Sequence, residues 1–143
     1  MAKLTGNRAI SGTNGNIWVN GELWGECKAF EAKVTGEFED VTFAGEYNKH
    51  AKYMGWTGEG TITLTKVYSR GMSIMADAFK KGVMPAIKIV GKLADPDAYG
   101  AERVALEEVV FKEFNILKFE NRTIVEEELS FSFADYDVLE QIK

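Results

Sequence analysis

Apolar side chains recur at every second position through much of this chain, the spacing of half-buried strands, and glycine or asparagine stands where the alternation breaks. The earliest block is Ile17-Trp18-Val19, then Asn20-Gly21, then Glu22-Leu23-Trp24. Asn and Gly both accept positive φ, so this pair predicts a type I′ hairpin between two short strands. Phe30, Ala32 and Val34 next alternate with Glu31 and Lys33, and Phe38, Val41 and Phe43 follow a break at Thr35-Gly36. That break predicts a turn or bulge between two strand segments. From Ala44 to Gly58 neither strand nor helix spacing is kept, although Tyr47, His50, Tyr53, Met54 and Trp56 crowd into it. The stretch 44–58 reads as a long loop, and a loop of that length in a compact domain is usually functional or disordered. Its aromatic content predicts a surface for it to pack against.

Alternation returns in Gly60–Val67, where Thr61, Thr63 and Thr65 make a polar, β-branched face opposite Ile62 and Leu64. One helix follows. Ser69 is placed to cap it, Met72, Met75, Ala76 and Phe79 recur at helical spacing, and Lys80-Lys81-Gly82 end it. A strand over Ala86–Val90, a polar turn over Ala94–Gly100, and a buried hairpin from Arg103–Lys112 and Phe114–Phe119 come next. Val125, Leu129, Phe131 and Phe133 are then set off by Glu126, Glu128, Ser130 and Ser132. The tail from Tyr136 to Glu140 is too short to build a core of its own. With no repeat, linker or low-complexity tract, 1–143 reads as one mainly β domain, an antiparallel β-sandwich or barrel carrying a single α-helix.

Composition then removes several functions. The 143 residues are 45% hydrophobic and 27% charged, enough to bury a core without disulfides or metal. A net charge of −5 speaks against a domain that binds nucleic acid by neutralising phosphates. Cys27 stands alone, so it has no partner for an internal disulfide and cannot found a multi-cysteine zinc site, which fits a reducing compartment. Residues 1–10 lack the apolar run of a signal peptide, and no window nears the ~20 apolar residues of a spanning helix. The chain is therefore expected to be made and kept in the cytoplasm.

Candidate chemistry is sparse. His50 is the only histidine, so any Ser-His or Cys-His arrangement must use it, and no Gly-x-Ser-x-Gly turn supplies a nucleophile. Glu107-Glu108 and Glu126-Glu127-Glu128 offer carboxylates, but neighbours on a strand point to opposite faces, leaving only Glu126 and Glu128 side by side. Those two with Asp95 and Asp97 lack the spacing of a calcium loop. Cys27 lies in a strand pattern and reads as a small packed hydrophobe. Gly58-Glu59-Gly60 opens a strand, not a helix, so it cannot cradle phosphate. No cofactor or metal is expected. The aromatic loop, the threonine face and the apolar residues Tyr136, Val138 and Leu139 point instead to contact with other chains.

Five segments in order, Ile10-Ser11-Gly12, Val19-Asn20-Gly21-Glu22, Gly60 to Ser69, Glu102-Arg103-Val104 and Phe131 to Glu140, span nearly the whole chain. Together they resemble the tail tube proteins of contractile phage tails and phage-tail-like bacteriocins. The resemblance implies hexameric rings stacked into a hollow tube inside a contractile sheath, with the inner strands of neighbouring subunits joined into one continuous barrel. It implies that the 44–58 loop reaches an adjacent ring through Tyr47, His50, Tyr53, Met54 and Trp56. The N-terminal arm 1–16 and the tail 134–143, with Tyr136, Val138 and Leu139, would contact neighbours. Glu31, Lys33, Glu37 and Glu39 would line the bore, with Thr61, Thr63 and Thr65 as second choice, and an acidic bore would repel DNA while passing cations. Implied partners are further copies of the chain, the sheath protein, the baseplate or tube initiator, the tail terminator, and the tape measure protein during assembly. DNA would pass only in a true phage. The location would be a virion tail or bacteriocin particle, assembled in the host cytoplasm. A monomeric small-ligand-binding β-barrel is the alternative from another class, and an enzyme comes third.

Overall fold

Asn20 and Gly21 both sit at positive φ, 51° and 83°, and join β1 (Gly15–Val19) to β2 (Glu22–Leu23) in the two-residue hairpin that the sequence predicts. The protein is seen here as a computed structural model that describes residues 4–143, so positions 1–3 of the expected N-terminal arm lie outside the described residues. Two short 3-10 turns, Gly6–Arg8 and Gly12–Asn14, precede β1. Then come β3 (Cys27–Val41), β4 (His50–Thr65), α1 (Arg70–Lys81), β5 (Ile89–Ala94), β6 (Ala101–Glu107), β7 (Val110–Phe111), β8 (Glu126–Phe133) and β9 (Asp135–Glu140). They form two antiparallel sheets with strand orders β2-β1-β5-β6-β9 and β3-β4-β8-β7.

The sheets face each other across one core. Ile17, Val19, Ile89 and Leu106 enter it from the five-stranded sheet, and Ile62, Leu64, Leu129 and Phe131 from the four-stranded one. Helix α1 lends Met75, and Phe111 lies fully buried with its ring stacked on Trp24 at 6.4 Å. Every second residue of β8 from Glu127 to Phe133 is buried, the alternation read from the sequence.

Several expected elements are redrawn. The break at Thr35-Gly36 is no turn, because β3 runs straight through it and the register shifts two residues later, between Glu37 and Phe38. Within the expected 44–58 loop, His50 to Gly58 are strand, paired rung by rung with β3, and only 42–49 connect the two strands. Most of this stretch is exposed, so nothing enforced the alternation by which a strand is recognised. The expected strand Phe114–Phe119 does not form. β7 ends at Phe111, and the chain to Val125 is irregular, with Phe114 turned against Phe79 of α1. The strand expected at Ala86–Val90 begins at Ile89 instead and runs on to Ala94, and the tail pairs with β6 as the edge strand β9.

Two polar anchors hold α1 in place. Ser69 makes no side-chain cap; a strand carboxylate does that work. Glu127, only 1% exposed, accepts from the Gly71 amide at 3.0 Å and from Lys66 Nζ at 2.6 Å, so β8 caps the first turn of the helix. Arg70 donates through Nε to Glu26 at 2.6 Å, also binds Glu22, and lies over the rings of Tyr68 and Trp24 at 4.6 and 5.3 Å. The hydrogen bond from Arg70 outweighs burial and holds the Glu26 carboxyl below its ordinary range, while the same bond raises Arg70 further. Gly82, at φ 73°, ends the helix as expected, its amide donating to Ala78 O at 2.8 Å.

Replacing Arg70→Met strands Glu26 and should cost about 3 kcal/mol, lowering the melting temperature by roughly 10 °C at pH 7. A carboxyl whose folded pKa is lowered stabilises the fold above its ordinary pKa, and that contribution is lost as pH falls through the folded value. The wild-type protein should therefore lose more stability than Arg70→Met between pH 6 and pH 3, as read by thermal unfolding across that range.

Candidate functional site

The β3–β4 ladder runs from Cys27 opposite Leu64 to Val41 opposite His50, but β8 covers β4 only between Thr65 and Gly58. Residues 35–41 and 50–57 therefore leave the sandwich as a two-stranded ribbon, about 25 Å long at strand spacing. A ribbon of that kind is marginal in water by itself. Gly55, at φ 147°, marks a bulge: Glu37 lies opposite Gly55, then Phe38 opposite Tyr53, so Met54 is the extra residue. The shift places Phe38 and Tyr53 on one face with rings 5.5 Å apart, both more than half exposed. At the tip His50 bonds Glu46 at 2.8 Å and meets the edge of Phe43.

Of the five expected loop residues, His50, Tyr53 and Met54 stand exposed on this ribbon and Tyr47 on the connection at its tip. Trp56 does not. It is half-buried at the base, with its ring centroid 5.2 Å from that of Tyr136 and 6.3 Å from that of Phe133, and so ties β9 to the ribbon's root. Tyr136 and Val138 face Leu106 and Val104 in the β6–β9 ladder.

The ladder also unites two groups that the sequence keeps apart. Glu31 lies opposite Thr61 and Lys33 opposite Glu59, while Thr61, Thr63 and Thr65 lie opposite Ser130, Glu128 and Glu126. Paired residues share a face, so Glu31, Lys33 and Glu37 stand with the threonines on the outer side of one sheet, and Glu39 continues that side past the bulge. Across β3, β4 and β8 this side has no apolar residue larger than Ala29 in the three-stranded region. Glu31, Glu37, Glu39, Glu59, Glu126 and Glu128 outnumber Lys28, Lys33 and Lys52 on it, so its potential is negative. Thr57 donates to Glu37 at 2.7 Å, and Lys28 pairs with Glu126. Sequence reading missed Thr57 and Glu59 as members of this face. Extending the Thr61–Thr65 alternation backwards along the strand would have found them.

Each sheet leaves an edge open. β3 is the outer strand of the four-stranded sheet, so along its fifteen residues one row of backbone groups pairs with no strand among the described residues. β9 is the outer strand of the other sheet. On the far side of β8 stands only the two-residue β7.

No chemistry gathers around the reactive side chains. His50 has Glu46 and Asn48 for partners and no nucleophile, while burial pushes the Cys27 thiol up and so disfavours its thiolate. Asp95 accepts from the Ser11 and Asp97 amides and is lowered by those bonds, acting as a turn cap. Among the described residues no cluster of three His, Cys, Asp or Glu could hold a metal ion, and no helix is long and apolar enough to cross a membrane. The two sheets stay separate and do not close into one barrel; Phe111, Phe131 and Phe133 fill the middle of the space between them.

These surfaces offer backbone groups, charge and apolar area to another chain, which is the character of an assembly subunit. A family model described as phage tail tube protein matches residues 2–140, and the chain belongs to that family. It is a structural protein, not an enzyme. One relative, the protein XkdM of the phage-like element PBSX of Bacillus subtilis (strain 168), is 34% identical over 141 residues, 97% of this chain and 96% of its own. Among solved structures, a chain from the tube-terminating cap of the anti-feeding prophage gives a TM-score of 0.73 over 96% of this chain and 95% of its own, at 6% identity. A chain from the PVC sheath-tube complex of an extracellular contractile injection system gives 0.66 over 91% and 90%, at 9% identity. Those two share the fold.

In the free subunit the ribbon should open far more readily than the sandwich. Amides of 35–41 and 50–57 are expected to exchange with deuterium at least about a hundredfold faster than those of β8, and protection of both to the same degree would contradict this.

Proposed function

We propose that this chain forms the inner tube of a contractile tail, of a phage or a phage-tail-like bacteriocin, as hexameric rings stacked around a bore. The observation that supports this most directly is the four-stranded sheet, which carries no apolar side chain larger than alanine on its outer side where β3, β4 and β8 lie together, is acidic there, and is open along β3. A polar face of that extent suits a wall wetted by a channel, and an open edge of that length suits pairing with the next copy. Six such sheets joined edge to edge make a closed barrel of about 24 strands, roughly 50 Å across between backbones at ordinary strand spacing and tilt. Closure leaves no free edge in the wall.

In this reading Glu31, Lys33, Glu37, Glu39, Thr61, Thr63 and Thr65 line the bore, where carboxylates repel DNA phosphates and let cations through. The ribbon reaches the adjacent ring and buries Tyr47, His50, Tyr53 and Met54, gaining there the packing it lacks in the free subunit. Trp56 serves at its root. Tyr136, Val138 and Leu139, with the N-terminal arm, meet neighbouring copies. Sheath contraction then drives a tube whose rings part only if many hydrogen bonds and apolar contacts break together. The sheath protein, baseplate or initiator, terminator and tape measure protein are the further partners. Assembly takes place in the host cytoplasm, and DNA is cargo only in a phage.

Electron microscopy of the concentrated protein, seeded with preformed tube ends, should show hollow filaments built of stacked rings. A 15.9 kDa monomer at every concentration despite seeding would overturn the proposal. The double variant Phe38→Asp, Tyr53→Asp should still fold, yet stack rings at least about tenfold less well, since each exposed aromatic contributes on the order of 1 kcal/mol or more once buried.

A further inference from the structure

Two apolar surfaces lie at opposite flanks of the four-stranded sheet. Beyond β7, Ile116, Leu117, Phe119 and Ile124 are 63%, 80%, 77% and 77% exposed, in a segment anchored at its ends. Phe114 packs on Phe79, and the Val125 carbonyl accepts from the Lys66 amide at 2.8 Å. On the other flank the sandwich gapes between β3 and the five-stranded sheet. A cleft of about 440 Å³ opens there, lined by Ile17, Cys27, Phe30, Leu93 and Val104, with Lys28, Lys92 and Glu102 as charged members.

The strand register puts both surfaces at one height. Cys27 lies opposite Leu64, and Leu64 opposite Glu127, so the start of β3 and the start of β8 are level across the sheet. The chain leaving β7 runs along the outer edge of β8 towards that same end, the Lys112 amide donating to Ser130 O at 2.8 Å. The segment lies beside α1, sharing a hollow with Ser69 and Met72, and the cleft is the gap between the two sheets. A ring that lays the β7–β8 flank of one copy along the β3 edge of the next therefore brings the segment and the cleft to the same seam. Head-to-tail rings need two different, matching surfaces on opposite flanks of each subunit.

We propose that Ile116, Leu117 and Phe119 of one copy fill the cleft beside Cys27 and Phe30 of the next copy around the ring. The charges complement each other: Lys118 and Glu120 punctuate the apolar segment, and Glu102 and Lys92 line the cleft to face them, while Lys28 is held by Glu126. The interlock adds apolar burial on the core side of the wall to backbone pairing at the edge, so each subunit is held to its neighbour at two depths. This assignment rests on the ring proposed above.

Cys27, the only cysteine, makes the contact testable. Cysteines placed singly as Ile116→Cys, Leu117→Cys and Phe119→Cys are co-assembled with wild-type chains into tubes and treated with a short bismaleimide at mildly alkaline pH, which raises the thiolate fraction of the half-buried Cys27. Covalent dimers are expected from at least one position and should vanish when every chain carries Cys27→Ala. Tubes that form without any such cross-link overturn the interlock and leave the ring intact, whereas failure of the wild-type chain to form tubes overturns both. Separately, Leu117→Asp with Phe119→Asp should leave the melting temperature within about 2 °C, because both sites are exposed in the subunit. The critical concentration for assembly should rise about a hundredfold, and an unchanged value overturns the proposal.

Discussion

Fifteen residues of β3 give one row of their backbone groups to β4, while no strand among the described residues takes the other, and the rest of the molecule is arranged around that asymmetry. The paired side fixes register, and register decides which residues share a face. It sends Phe30 and Ile62 towards the core while Glu31, Thr61 and Ser130 face outward together. The unpaired side is a standing demand for hydrogen-bond partners, met by water in a lone subunit and, in the proposed tube, by the next copy. The same ladder, continued past the reach of β8, becomes a ribbon with too few neighbours to be firm on its own.

Stiffness is concentrated elsewhere. Arg70 with Glu26 and Glu22 pins the start of α1 to the first hairpin, and Glu127 with Lys66 pins it to β8. Both anchors are charged, and the carboxylates of Glu26 and Glu127 are largely buried, so breaking either leaves a carboxylate without compensation. Helix and sheet are thereby locked as one body. Trp56, Phe133 and Tyr136 do the same at the ribbon's root, joining the two sheets where, in the proposed tube, force from a neighbouring ring would enter.

Much of this was legible in the chain. The Asn20-Gly21 turn, the helix closed by Gly82 and the alternating strand ending at Phe133 each follow from local chemistry acting on adjacent residues. Glu31, Lys33, Glu37, Glu39, Thr61, Thr63 and Thr65 of the polar face were named, although as two separate sets and without Thr57 and Glu59. Where reading failed, local signals were absent or misleading. His50–Gly58 belongs to a strand largely exposed to water, so burial imposed no period, and Phe114–Phe119 has apolar residues that find no sheet to join.

The sequence alone determined a mainly β domain with one helix, without the residue groupings that catalysis requires, and its ordered segments carried the tail-tube likeness. Periodicity, turn residues and composition act over a few neighbouring positions, so they survive translation into a string. Only the tertiary structure decided that Glu31 and Thr61 share a wall, that Trp56 belongs to the root and not the tip, that Glu127 caps a helix fifty-six residues before it, and that the segment after β7 and the cleft beside Cys27 stand level on opposite flanks. Those relations are set by strand register and packing between residues far apart in the chain, and no local pattern encodes them.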